Sequence, residues 1–311
     1  EMHRNWMLDW VGFLPGKRES RRYVGDHIIT QNDVRAANRF EDIVAYGGWS
    51  MDDHHPAGFH HPGQPTVFHE APSPYGIPYR ALYSKNITNL FCAGRNISTT
   101  HAAMSSTRVM ATCALLGQAV GTAAAIAAAE GLTPRGVYQH RIKQLQQQLM
   151  EDDCYLPWQT RAISGLTAAA QVSASSGTPE KLRNGVDRPV GDNVNAWECR
   201  VGDYAEYRFA RPVTLNQTRI IFDSNLHDRL TNSLSYYRLN QEPFKVMPTL
   251  VKAFRIDYLA ADGQWKTAST CTDNHQRLVK MPLPVTTSAV RLIPLESWGN
   301  DTLRIFAWDI R

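Results

Sequence analysis

From about Ala102 to Glu130 almost every residue is Ala, Gly, Ser, Thr or a medium-sized apolar side chain, and Ala111 to Ala129 carries no formal charge. A stretch of that length and composition is either a membrane span or a helix against which other elements pack closely. Alanine contributes little transfer free energy compared with leucine or isoleucine, and Thr112, Gln118 and Thr122 interrupt the run, so no membrane span is expected. The small residues, Gly117 and Gly121 among them, instead suit a helix packed tightly against a sheet. Gly131 followed by Pro134 marks its end. A second helix, amphipathic and Gln-rich, is predicted from Pro134 to Glu151, and Asp152 to Pro157 closes this part of the chain.

Upstream, residues 1–50 mix short β-rich stretches such as Tyr23 to Thr30 with a polar helical candidate from Asn32 to Asp42, as part of an α+β substrate region would. Residues 52–78 hold six prolines and five histidines. That spacing fits no regular element and predicts an ordered loop of a length that is often functional. Asn89 to Gly94 reads as a short buried strand followed by a polar turn, Arg95 to Thr100.

Beyond residues 158–168 the character changes. Short alternating runs succeed one another at Tyr204 to Phe209, Thr218 to Phe222, Ala253 to Leu259, Val290 to Ile293 and Leu303 to Ile310, with turn signals such as Asp262-Gly263 between them. This spacing predicts an all-β sandwich. The 311 residues are enough for two domains, placed at 1–160 and 165–311. The fold class is therefore α+β followed by an all-β jelly roll. With 43% apolar and 20% charged residues the chain reads as globular rather than disordered. A net charge of +4, carried by dispersed Lys and Arg, argues against nucleic acid as a partner. Five distant cysteines without a CxxC pair exclude a zinc ribbon or iron–sulfur motif, and their odd number argues against a disulfide framework.

Several segments resemble the C-terminal part of the bacterial FAD-dependent oxidoreductase family: Pro78-Tyr-Arg-Ala-Leu, Asn89-Leu-Phe-Cys-Ala-Gly-Arg95, and His101-Ala-Ala-Met-Ser-Ser-Thr-Arg onward to Gly121. So do Arg18 to Asp26 and Gly47-Gly-Trp-Ser-Met-Asp-Asp-His54. The resemblance covers roughly residues 1–150 and implies an incomplete flavoprotein-type α/β unit. It also implies that Gly94, Arg95, His101, Ala102, Ser105 and Ser106 lie against the ribityl chain and isoalloxazine of FAD. The family's Gly-x-Gly-x-x-Gly turn, which holds the pyrophosphate, has no match in this sequence. The expected partner is a dinucleotide-binding unit upstream of Glu1, and the isolated chain is expected to hold flavin weakly or not at all.

Asp52, Asp53, His54, His55, His60, His61 and His69 fall within eighteen positions. A metal site is one reading, although adjacent histidines without i,i+4 phasing chelate poorly, and none is expected. Polar loop residues satisfied by backbone and water are another. The third is catalysis: alcohol oxidation needs a base for the hydroxyl proton, and Asp52 and His54 occupy the resembling family's Trp-x-x-Asp-x-His positions. Arg18, Arg22 and Arg80 are candidates to orient a polar or anionic substrate.

Residues 165–311 resemble a galactose-binding-like or discoidin-type jelly roll through Ala174-Ser-Ser, Gly185-Val-Asp187, Trp197, Tyr204 to Phe209, Arg255 to Tyr258 and Gly263-Gln-Trp265. Such domains often bind glycans, which makes Trp197, Trp265, Trp298 and Asp187 candidate sugar contacts. The function expected is FAD-dependent hydride transfer from a small, carbohydrate-derived substrate. The alternatives are a non-catalytic carbohydrate-binding protein on a degenerate flavoprotein half, and a polysaccharide-processing lyase or hydrolase. A periplasmic or extracellular location follows by analogy alone.

Overall fold

A computed structural model describes residues 4–13, 21–225 and 246–311. The chain divides into two compact units, one of Glu1–Leu149 with Cys154–Pro157 and one of Met150–Asp153 with Trp158–Arg311. Arg18, a predicted substrate contact, lies outside the described residues.

In the first unit, α1 (Gln31–Arg35) opens on a capping box in which Thr30 and Asp33 satisfy each other's backbone N–H groups. Strand β1 (Ile43–Gly47) is followed by β2 (Met51–His54), β3 (Thr66–His69) and β4 (Tyr75–Pro78). Buried Ile43, Val44 and Ala45 on β1 face an antiparallel partner in β4, and β2 pairs with β3. The histidine-rich stretch predicted to be an irregular loop is thus folded back by a short ladder, its four residue pairs running from Met51↔His69 to His54↔Thr66.

Two helices occupy the segment read as one. α2 (His101–Thr107) is capped by the Thr100 hydroxyl, which accepts from Ala103 N–H. α3 (Met110–Glu130) starts afresh after Val109 turns to extended backbone, and it ends at Gly131 in the left-handed conformation. The buried face of α3 carries Leu116, Ala119, Ala123 and Ile126. Gly117 and Gly121 lie on another face, where an added Cβ would meet nothing within 4 Å, so they are not the close-packing points expected from the sequence. By length and mean hydropathy, 1.5, α3 is long and apolar enough to cross a membrane. α4 (Pro134–Glu151) has the predicted bounds, and its Gln146 Nε2 donates to the carbonyls of Glu41 and Ile43 beside β1. The strand predicted at Asn89 to Gly94 is reduced to one bridge between Phe91 and Tyr83. Trp6 to Phe13 form neither helix nor strand and expose Trp6, Met7, Leu8, Trp10 and Phe13.

The second unit is an antiparallel sandwich. After α5 (Gly165–Ala169) come β5 (Gln171–Ala174), β6 (Trp197–Arg200), β7 (Ala205–Phe222), β8 (Val251–Leu259), β9 (Trp265–Cys271), β10 (Leu278–Ser297) and β11 (Thr302–Ile310). Their order is β6-β11-β7-β10-β8-β9, with β5 on β7. β7 and β10 are longer than the sequence runs suggest because each bends through the fold. The front of β7 pairs with β5 and with Ala289–Leu292 of β10, while its rear pairs with β11 and with the first part of β10. Register shifts at Pro282/Val285 and Thr287/Ala289 accommodate the bend. Tyr207 and Trp308 stack at 4.4 Å in a core shared with Trp197, Phe222, Phe254 and Ile256.

Candidate functional site

A cleft of about 840 Å³ in the first unit is lined from four segments: Arg22; Asp52 to Gly58 with Pro65 and Thr66; Arg95; and His101, Met104, Ser105 and Arg108 on or just after α2. Its floor is set by β2, whose pleat and short partner strand hold Asp52, Asp53 and His54 in defined places.

His54 Nδ1 lies 2.9 Å from Thr66 Oγ1, its direct cross-strand neighbour, and His54 Nε2 lies 3.6 Å from Asp52 Oδ2. Arg108 Nη2 donates to the Asp52 carbonyl at 3.2 Å and lies 3.8 Å from Asp52 Oδ2. Asp52 Oδ1 is buried and has no hydrogen-bond partner among the described residues. An unsatisfied buried carboxylate oxygen is costly, so a group that donates to it on arrival gains from the encounter. A second imidazole–carboxylate pair stands nearby, His101 Nε2 to Asp53 Oδ1 at 3.1 Å. Two adjacent strand residues, pointing to opposite sides of the pleat, thereby each engage a histidine.

Of the residues implied for the flavin, Arg95, His101 and Ser105 line the cleft. Gly94 precedes it with φ +65°, and an added Cβ there would meet nothing within 4 Å. Ala102 is half-buried and its carbonyl accepts from the Ser105 hydroxyl. Ser106 is fully buried: its hydroxyl donates to the Trp49 carbonyl and meets the Tyr75 hydroxyl. Burial pushes the Tyr75 phenol up to about 12, although the Ser106 bond opposes this, so both groups are neutral structural partners.

Of the arginines, Arg22 lines the cleft. Arg80 does not: its guanidinium forks onto the fully buried Asp42 carboxylate with two contacts of 3.0 Å. That bidentate pair makes Arg80 a strut of the first unit rather than a substrate contact, because removing it would strand a buried charge. The sequence did not single out Thr66 or Arg108, and it named Asp53 only as a member of the histidine-rich cluster. Thr66 becomes visible only once the strand pairing is known, whereas Arg108 had a signal, as the one formal charge between Ala102 and Ala129.

In the second unit the four candidate sugar contacts stand in different surroundings. Trp197 is 0% exposed, with Nε1 bonded to the Ser176 carbonyl, so its ring belongs to the core. Asp187 accepts from Arg161 Nε at 2.9 Å and Arg219 Nη1 at 3.0 Å, which uses its carboxylate internally. Trp265 has the Arg291 guanidinium 3.9 Å from its ring centre, sandwiched against Tyr204 on the other side. Trp298 is half-buried, its Nε1 held by the Asn274 carbonyl, with His275 and Lys252 beside the ring.

Residues 2–149 match the family model described as FAD dependent oxidoreductase. A search of curated proteins finds no match to this sequence. Among solved structures the chain is similar to the family 32 carbohydrate-binding module of Streptococcus pneumoniae EndoD, with 19% identity and a TM-score of 0.37 over 48% of this chain and 99% of that one. It is also similar to the family 32 module of C. perfringens NanJ solved with galactose, with 9% identity and a TM-score of 0.34 over 48% and 97%. A third is a module of AlyQ solved with 4,5-unsaturated mannuronic acid, with 13% identity and a TM-score of 0.31 over 49% and 98%.

Proposed function

From the match of residues 2–149 to the FAD dependent oxidoreductase family model, we propose that the first unit supplies the substrate side of a flavin-dependent alcohol oxidation. The observation that carries this reading is the meeting of Asp52, His54, Arg95, His101 and Ser105, from three separate segments, around one cleft of ligand size. FAD, when bound, supplies the hydride acceptor. The residues present fit one end of it. His101 offers a ring nitrogen and Ser105 Oγ, whose own proton goes to the Ala102 carbonyl, an acceptor, and the open flank of Gly94 admits a planar ring beside the backbone.

The protein's own part is the proton. With Thr66 Oγ1 accepting from Nδ1–H, His54 Nε2 is left to take the substrate's hydroxyl proton. Asp52 Oδ2, at 3.6 Å, favours the imidazolium that forms, and Arg108 keeps that carboxylate in place through its backbone carbonyl. The C–H electron pair leaves as hydride, the O–H proton goes to His54, and a carbonyl remains.

The test is the absorption spectrum of the full-length gene product beside this chain with added FAD. A flavin band near ~450 nm in the longer protein, bleached anaerobically by an alcohol substrate, is expected. Absence of flavin from both proteins would sink the reading.

A second reading concerns the other unit, which we propose binds a sugar at its Trp298 corner. Support comes from a half-buried indole anchored by Asn274 and flanked by His275, Lys252 and Glu296, the mix of aromatic face and polar side chains that sugars use. On a glycan array, Trp298→Ala should abolish at least one signal given by the unmodified chain; an unchanged pattern, or no signal from either, overturns it.

A further inference from the structure

The cleft of the first unit has a charge pattern that alcohol oxidation by itself does not require. Three arginines, Arg22, Arg95 and Arg108, line it together with two carboxylates, Asp52 and Asp53. Each carboxylate has a close cationic or imidazole neighbour: Asp53 has His101 at 3.1 Å, and Asp52 has His54 at 3.6 Å and Arg108 at 3.8 Å. Among the described lining residues three guanidiniums face two carboxylates, an excess of positive charge even with every histidine neutral.

Arg108 is the informative member. It sits where α2 ends and before α3 begins, it is the one charge between Ala102 and Ala129, and its side chain is only 19% exposed. Holding a guanidinium largely out of water costs free energy unless an anion offsets it. Asp52 Oδ2 at 3.8 Å lies beyond hydrogen-bond distance and Nη2 donates instead to the neutral Asp52 carbonyl at 3.2 Å, so the charge itself is offset only by Coulombic attraction. The guanidinium fork matches a carboxylate with two parallel N–H donors, which an ammonium does not.

Resting on the reading of this cleft as a substrate site, we propose that it selects a substrate bearing a carboxylate, a small hydroxy acid, through Arg22, Arg95 and Arg108. The hydroxyl to be oxidised then points to His54, while the carboxylate is held at the arginine side. A phosphate anion of a dinucleotide would answer the same charges, so the experiment separates the two sources.

The chain is titrated calorimetrically, without flavin, with D-galacturonate, D-gluconate and L-lactate. Each is run beside a neutral counterpart, the methyl ester, sorbitol and lactamide respectively, and inorganic pyrophosphate is run alone and as a competitor. At least one carboxylate should bind tenfold or more tightly than its counterpart, and Arg22→Gln or Arg95→Gln should each weaken it about tenfold, the usual size of one charge-assisted contact. Arg108→Lys keeps the charge and loses the fork, so it should weaken the carboxylate by a larger factor than it weakens the neutral counterpart. Arg22 and Arg95 are exposed, which keeps their variants from failing merely by misfolding. Equal binding of charged and neutral ligands, no binding of any, or displacement of the carboxylate by pyrophosphate at lower concentration overturns the proposal. Carboxylate selection in a protein that never binds flavin would sink the flavin reading alone; flavin binding without carboxylate selection would sink this one alone.

Discussion

Exchanging His54 for glutamine is expected to lower turnover of the flavin-loaded full-length protein by about 10²- to 10⁴-fold, the usual contribution of a positioned base. Flavin absorbance should be retained. The residue is half-exposed at the end of a four-residue strand, and among the described residues its one close side-chain hydrogen bond is to Thr66 Oγ1, so little of the fold depends on it. Glutamine preserves a polar contact to Thr66 but takes no proton. Asp52→Asn should give a smaller loss, because Asp52 acts on the imidazole from 3.6 Å rather than on the substrate. Stopped-flow reduction of the bound flavin by substrate isolates the relevant step. A His54→Gln protein reduced at the rate of the unmodified one would remove His54 from the mechanism.

The largest stability effect belongs to the second unit. Asp309→Ala should destabilise it by about 2–4 kcal/mol, the cost of leaving the Ser164 N–H and the buried Thr167 hydroxyl without their carboxylate acceptor, while Arg161 keeps Asp187 at 2.9 Å. The Asp309 side chain is 0% exposed, accepts from Ser164 N–H and the Thr167 hydroxyl, and lies 3.4 Å from Arg161 Nη1. Burial opposes its ionisation, but the bonds from Thr167 and Ser164 and the charge of Arg161 outweigh burial and hold its carboxyl below the usual range. Since the folded value lies below the unfolded one of 3.8, the stabilisation is complete above pH 3.8 and is lost as pH falls through the folded value. Urea unfolding at neutral pH and at successively lower pH measures both effects. A change under 1 kcal/mol at neutral pH would show that the network is not what holds α5 to β11.

Much of the architecture was legible because periodicity and punctuation report it locally. Gly131 and Pro134 gave the end of α3 and the start of α4, and the alternating runs after residue 168 gave a β unit. What was hidden depends on distant residues. Neither proline nor glycine marks the break at Arg108 and Val109, where the guanidinium reaches the Asp52 carbonyl instead. β2 and β3 were hidden by the prolines and histidines between them, and their pairing is what brings Thr66 to His54. Asp52, His54, Arg95, His101 and Ser105, found by resemblance, do share one cleft. Arg80 and Asp187 were misjudged because an arginine or aspartate looks the same in sequence whether it meets solvent or a buried counterion, here Asp42 or Arg161 with Arg219. Trp197 shows the same ambiguity for an aromatic ring.

The bends of β7 and β10 carry one more implication, for how the second unit assembles. These two strands, 18 and 20 residues long, run through both layers and pair with each other across a gap of more than fifty residues of chain. Neither layer can be completed until that distant pairing is made, and neither can peel away once it exists. Loop closure must therefore precede most of the reward from burial, which places this unit among slow, strongly cooperative folders. Until the two ends of the chain segment meet, its apolar strands stand exposed to other molecules, and crowding during synthesis is the moment of greatest risk.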